Sequence, residues 1–192
     1  PVVGVCWYEA MAFCYWLTDL GHRQKWLNPK SRLVLPSEAE WEKAARGGLK
    51  LPNKNEYAAI AGLAAKVKSA ESEYYSNPDA ARLYPWDGQE IDGNKANYDK
   101  AGIKTSSPLG CFNAGNSPYG CGEMSGNVWE WTRSLWGEKW EGIDEKYAYP
   151  YEPGQSRENL TAGPQVLRCL RGGSFNNNPQ SVRCAFRLGG SP

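Results

Sequence analysis

Gly126-Asn127-Val128-Trp129-Glu130-Trp131 and, further along, Arg171-Gly172-Gly173-Ser174-Phe175 decide how this chain reads. Each joins a glycine-containing turn to aromatic residues. In an extended segment, Trp129 and Trp131 point to one face, and Val128 and Glu130 to the other. Two tryptophans locked into a core would hold Glu130 rigidly on the opposite side. Glu123 lies beyond the Gly126-Asn127 turn and can fold back toward Glu130. Two carboxylates and the carbonyls freed by a turn make an all-oxygen site of the kind that suits Ca²⁺. The same pair also fits a plainer role as solvated or salt-bridged acids.

Working outward, Ser37-Glu38-Ala39-Glu40 reads as a capping box that starts a helix, with Trp41, Ala44 and Ala45 as its apolar stripe and Gly47-Gly48 as its stop. An earlier helix is expected from Tyr8 to Leu20, with Trp7, Ala10, Cys14 and Leu17 on one face and Gly21 as its terminator. Val2-Val3-Gly4-Val5 is a short β-prone run before it, and the basic stretch from His22 to Arg32 reads as a surface connection. Residues 49–83 read as a helical insertion, alanine-rich from Lys54 to Tyr75. After Tyr84, turn residues dominate, so regular elements must be short and the ordered loops long. Such loops bury little apolar area and need aromatic anchors, disulfides or bound metal to hold them.

The chain has 192 residues, enough for a single domain with its own core. Nine Trp and eleven Tyr against four Phe favour half-buried irregular structure and binding surfaces. Lys and Arg total 22 against 21 acids, net +1 and without like-charge blocks, which argues against a phosphate-tracking nucleic-acid surface. No apolar run approaches the roughly 20 residues of a membrane helix, so no membrane insertion is expected. No signal peptide opens the given chain, which makes the cytoplasm the default location and leaves export open. Six cysteines without a C-x-x-C pair and a single histidine, His22, speak against structural zinc. Cys6 and Cys14 lie among apolar residues and read as reduced thiols, with two or three disulfides as the alternative in an exported protein.

Together these motifs resemble the formylglycine-generating-enzyme (sulfatase-modifying factor) family, a branch of the C-type-lectin-like fold. The resemblance extends over Pro1 to Trp7, Leu35 to Glu42, Tyr84-Pro85-Trp86 and Ser107 to Gly110, in order along the chain. It implies a single α+β domain of two helices, short strands and long ordered loops over residues 1–192. It also implies that the family's first strands and closing strand lie outside Pro1 to Pro192. By resemblance, calcium is held by Glu123, the carbonyls of Gly126 and Val128, and Glu130, with Glu123 standing where the family commonly has Asp or Asn. A second calcium site of the family begins at Asn97 and Tyr98.

The enzymes of this family use a cysteine pair for copper just after the Arg-Gly-Gly-Ser motif. Here the matching positions are Asn177 and Val182, and neither supplies the thiolate that Cu(I) needs. The related iron-dependent sulfoxide synthases need several histidines. The resemblance therefore implies a non-catalytic protein, with a metal-dependent oxidase and a regulatory module of a larger signalling protein as alternatives. The segment after Ser174 is similar to the variable region of proteins diversified by retroelements, in which asparagine-rich positions are rewritten on a C-type-lectin scaffold. On that resemblance the displayed positions are Phe175, Asn176, Asn177, Asn178, Gln180, Ser181, Phe186, Leu188, Gly190 and Ser191, facing an unknown protein or surface ligand. Asn, Ser, Gly and aromatic side chains make adaptable binding surfaces. An Asn-Asn-Asn-Pro run is equally a turn former.

Overall fold

The computed structural model describes residues 1–55, 73–152 and 156–192. Helix α1 spans Trp7–Arg23 and helix α2 spans Glu38–Arg46. Strands β1 (Lys50–Pro52) and β2 (Tyr74–Ser76) form a small antiparallel pair. Strands β3 (Glu130–Gly137), β4 (Leu167–Arg171) and β5 (Leu188–Gly190) form an antiparallel sheet with β4 in the middle. This is the α+β arrangement of two helices, short strands and long loops that the motifs imply.

Helix α2 begins as the capping box requires. The Ser37 Oγ accepts from the Glu40 N–H at 3.2 Å, and the Glu40 carboxylate accepts from the Ser37 N–H at 2.7 Å. It stops at Gly47, whose φ of 82° is open mainly to glycine. Trp41 and Ala45 are buried and pack with Met124 and Cys184. The helix thus ties the turn before β3 to the C-terminal segment.

Helix α1 is longer than its pattern implies and ends differently. Its buried residues are Trp7, Met11, Thr18 and Gly21, while Ala10, Cys14 and Leu17 are half-buried. Gly21 does not terminate it. Trp26 and Leu27 fold back over it, and a Cβ there would lie 2.8 Å from the Leu27 Cβ. The glycine serves close packing, and the stretch from His22 to Arg32 includes these two buried side chains. Val2 to Val5 forms no strand and is largely exposed.

The helical expectation between Lys54 and Tyr75 falls mostly on residues 56–72, outside the described residues. At its described end, Tyr74 and Tyr75 are strand, not helix, and pair back onto β1. The six thiols are all free.

Buried charge sits where β4 meets α2. Arg171, fully buried, reaches Glu38 at 3.0 Å and Glu42 at 2.7 Å. Arg187 also engages Glu38, with its Nη2 at 2.6 Å from Oε2. These bonds pin the C-terminal segment to α2.

Candidate functional site

The two signature motifs meet. The Gly126 N–H donates to the Gly172 carbonyl at 2.8 Å, and the Phe175 N–H donates to the Asn127 carbonyl at 2.9 Å. Gly126 is required by close approach, because a Cβ would lie 2.1 Å from the Asn97 carbonyl oxygen. Asn127, 1% exposed, takes the left-handed conformation at φ 64° and knits the surrounding loops together. Its N–H donates to the Asn97 carbonyl at 2.7 Å, and its Oδ1 accepts from the Ser107 N–H at 2.9 Å. Its Nδ2 donates to the Ser107 carbonyl at 3.2 Å and to Glu123 Oε2 at 3.3 Å.

This cradle holds the acids. Glu130 is half-buried, and its carboxylate accepts from Trp41 Nε1 at 2.5 Å. Burial, with the charge of Glu123 adding to it, pushes the Glu130 carboxyl up to about 7. Burial also raises Glu123, which accepts from the Gly110 N–H at 3.3 Å. Among the described residues no Lys, Arg or His forms an ion pair with either acid. Nor does any backbone N–H donate to the carbonyls of Gly126 and Val128. No group of three or more His, Cys, Asp or Glu among the described residues is placed to hold a metal, so a cation here would depend on carbonyl oxygens as well.

Nearby, Asn97 is fully buried. Its Nδ2 donates to the Thr105 carbonyl at 2.8 Å and to Ser107 Oγ at 3.2 Å, while its Oδ1 has no partner among the described residues. The Tyr98 carbonyl accepts from the Ala101 N–H at 3.0 Å, which leaves it a weaker candidate donor. The expected core burial of the two tryptophans is not what the structure has. Trp129 and Trp131 do share a face, but both are half-buried, as is Glu130 between them. The two tryptophans line an open cavity of ≈ 280 Å³ together with Val2, Val5, Ser174 and Phe175. Phe186 extends this aromatic surface, with its ring 6.0 Å from that of Trp129.

The segment after Ser174 alternates anchors with displayed side chains. Val182 and Cys184 are fully buried, and the Val182 carbonyl accepts from Ser125 Oγ at 2.6 Å. The Cys184 N–H donates to the Leu83 carbonyl at 2.8 Å. Asn176, Asn178, Gln180 and Ser191 are exposed, while Phe175, Asn177, Ser181, Phe186 and Leu188 are half-buried. Asn177 is tied inward, its Oδ1 accepting from both the N–H and the Oγ of Ser174 at 2.8 Å. Asn178 accepts from the Ser181 N–H at 3.0 Å. The run is therefore a hydrogen-bonded turn and an exposed surface at once.

Gly190 is a correction. It is buried in β5, and a Cβ there would lie 2.7 Å from Leu170 Cδ1 and 2.8 Å from the Trp131 ring, so it cannot be a displayed position. Sequence reasoning missed the contribution of Trp129, Trp131 and the Val2–Val5 stretch to this face. The tryptophan alternation marks the side the pair shares, and what packs beside it makes that side a cavity wall instead of a core.

Comparison with known proteins places this geometry. The sulfatase-modifying factor enzyme 1-like domain matches residues 1–192. Inactive C-alpha-formylglycine-generating enzyme 2 of Mus musculus is 35% identical over 197 residues, covering 100% of this chain and 44% of that protein. Hercynine oxygenase of Mycolicibacterium smegmatis is 31% identical over 191 residues, covering 97% of this chain and 33% of the relative. Serine/threonine-protein kinase pkn1 of Chlamydia pneumoniae is 31% identical over 192 residues, covering 100% and 22%. This chain thus spans less than half the length of these relatives. Two solved structures share the fold over 100% of this chain at 21% identity. They are PvdO from Pseudomonas aeruginosa, with a TM-score of 0.56 and 56% of its chain covered, and Treponema denticola variable protein 1, with 0.52 and 66%. With its whole length matched and both signature motifs joined in one cradle, the chain belongs to the sulfatase-modifying factor enzyme 1-like family.

Proposed function

We propose that this domain is a non-catalytic binding module whose C-terminal segment, from Phe175 to Ser191, presents a changeable surface to a protein or surface ligand. One observation carries the reading: Asn176, Asn178 and Gln180 are exposed on a segment whose neighbours Asn177, Val182 and Cys184 are fixed by burial and hydrogen bonds. A fixed loop reduces the ordering cost of binding, and its exposed polar positions change without disturbing the core. The aromatic cavity beside Phe175 supplies apolar contact area at the edge of the same face. The shared fold of the variable protein fits this reading, and so does the relative named as inactive.

Calcium is the cation this donor set suits, with Glu123 and Glu130 as carboxylate ligands and the carbonyls of Gly126 and Val128 beside them. It would neutralise two acids that lack a cationic partner and fasten the turn on which Asn127 holds Phe175. Asn97 Oδ1, buried and unpartnered among the described residues, is the donor that supports a second site.

The test is to sequence the source DNA for a near-copy of the segment coding residues 171–192 beside a reverse-transcriptase gene. Mismatches confined to template adenines at the exposed positions support the proposal. Absence of a copy removes retroelement diversification and leaves an ordinary turn.

The second reading is a metal-dependent oxidase, favoured by the hercynine oxygenase relative. Against it, the two thiols nearest the motif, Cys169 and Cys184, are fully buried, and burial raises both, Cys184 to about 12. Such thiols resist forming the thiolate that copper needs. Stoichiometric Cu(I) binding by the purified protein would overturn the non-catalytic reading. A regulatory interaction module within a larger protein is the form of the binding reading that the kinase relative supports.

A further inference from the structure

Helix α1 is apolar on two opposite faces. Trp7, Met11, Thr18 and Gly21 pack inward, yet Trp16 is 52% exposed and Phe13 57%. Their rings contact one another, with centroids 5.6 Å apart. Ala12 and the half-buried Leu20 continue the outer stripe, with the exposed Tyr8 and Tyr15 at its margin. A helix apolar all round is ordinarily covered on both sides, and exposed apolar patches of this kind mark interaction sites. None of these outer residues lines the cavity beside Phe175.

Charge identifies the occupant. Residues seven apart fall almost two full turns along a helix, so Glu9, Trp16 and Arg23 lie on one narrow stripe with Trp16 at its centre. Glu9 is exposed and uses Oε2 to accept the Cys6 N–H at 2.8 Å, and among the described residues it is in no ion pair. Among the described residues Arg23 is in no ion pair. An acid at one end, a base at the other and an indole midway make a self-complementary surface. A second α1 laid antiparallel, with its two-fold axis at Trp16, puts Glu9 of each copy against Arg23 of the other. The two Trp16 and Phe13 pairs are then buried between them. We infer that the outer face of α1 is an isologous interface between two copies of this chain. Pairing two copies also joins two binding faces in one particle, which strengthens binding to any ligand displayed in multiple copies.

The inference is tested by sedimentation equilibrium of the purified chain, alone and as Trp16→Glu and Arg23→Glu. Both positions are exposed, so both variants keep the core; near-ultraviolet dichroism and the thermal midpoint verify this. The wild type is expected to dimerise reversibly. Trp16→Glu removes a central aromatic anchor and should weaken association by about 30-fold or more, the scale of an interface hot spot. Arg23→Glu sets Glu9 against glutamate at both ends and should weaken it by about 10-fold, an effect that shrinks as salt is added. A wild type that stays monomeric at every soluble concentration overturns the inference. So does a dimer indifferent to Trp16→Glu. Loss with Trp16→Glu alone, with Arg23→Glu silent, overturns the antiparallel arrangement and with it the proposal.

Discussion

Two clusters of buried and half-buried carboxylates flank Trp41, and they meet the same electrostatic problem in opposite ways. On one side Glu38 and Glu42 are met by Arg171 and Arg187, and the Arg171 guanidinium lies 5.0 Å from the Trp41 ring centroid. On the other side Glu123 and Glu130 share no cation among the described residues, and the Trp41 indole N–H donates to Glu130. The first cluster balances its charge from within, two carboxylates against two guanidinium groups. The second raises the proton affinity of its own acids, a property that groups in binding sites share. A folded chain tolerates the second because the first, together with the Asn127 hydrogen bonds, holds the surrounding loops.

The largest expected effect breaks the balanced side. Arg171→Met leaves Glu38 fully buried with Arg187 as its remaining partner, and it leaves the Cys184 carbonyl without the donor now 2.5 Å away. Removing one member of a buried ion pair costs about 3–5 kcal/mol. Urea denaturation should show a loss of that order with an unchanged slope. A loss below about 1 kcal/mol would mean that the Glu38 cluster does not hold the C-terminal segment.

The next effect sharpens the unbalanced side. If calcium completes it, saturating the protein to 100 times the dissociation constant adds about 2.7 kcal/mol, and excess EGTA removes it. Glu130→Gln should abolish this gain. Without calcium the same variant should be at least as stable as the wild type, since it exchanges a half-buried unpaired carboxyl for a neutral amide. An unchanged thermal midpoint on adding EGTA would dismiss calcium.

Protons should report the same site with a definite sign. Glu130 titrates at about 7 when folded, against about 4.3 for an unfolded glutamate. Between those values the folded state binds the extra proton, so stability from this group falls as pH rises through that window. Above it the full cost of the buried charge remains. The stability difference between wild type and Glu130→Gln, measured in EGTA from pH 4 to 8, should therefore shift against the wild type as pH rises. Calcium competes with the proton and should cancel or reverse that trend. A difference flat with pH would show that Glu130 does not titrate as described.

Much of the frame was legible in the sequence because it is set by local chemistry. The Ser37–Glu40 box and the Gly47 stop need only neighbours within one helical turn, and both are present. Asn127 and Gly126 were legible as a turn, though not as the hub joining Asn97, Ser107, Glu123 and Phe175, since those partners come together only in three dimensions. The misreadings share a cause. Gly21 and the Trp129–Trp131 pair carry in sequence the commonest role of their residue type, and Gly190 the role that the resemblance implies. Their actual roles depend on what packs against them: Trp26 and Leu27 over Gly21, Leu170 and Trp131 over Gly190, and open space beside the tryptophans. Burial of a turn or strand glycine is a tertiary fact, and periodicity does not carry it.

The smallest effect separates the two functions of the asparagine run. Asn176 and Gln180 are exposed, so Asn176→Ser and Gln180→Ser should move stability by no more than about 0.5 kcal/mol. Asn178→Ala loses the two exposed bonds that its Oδ1 accepts from the Ser181 N–H and Oγ, where water can replace it, and should cost little more. Asn177→Ala removes the acceptor of both the Ser174 N–H and Oγ, in a turn whose own carbonyl receives the Asp99 N–H, and should cost about 1–3 kcal/mol. Thermal melts of the four single variants make the comparison. A surface built to vary requires this unevenness, with Asn177 fixing the loop from a half-buried position and its neighbours bonded only at the exposed surface or not at all. Equal losses at all four positions would make the run a structural turn throughout and remove the displayed face from the proposal.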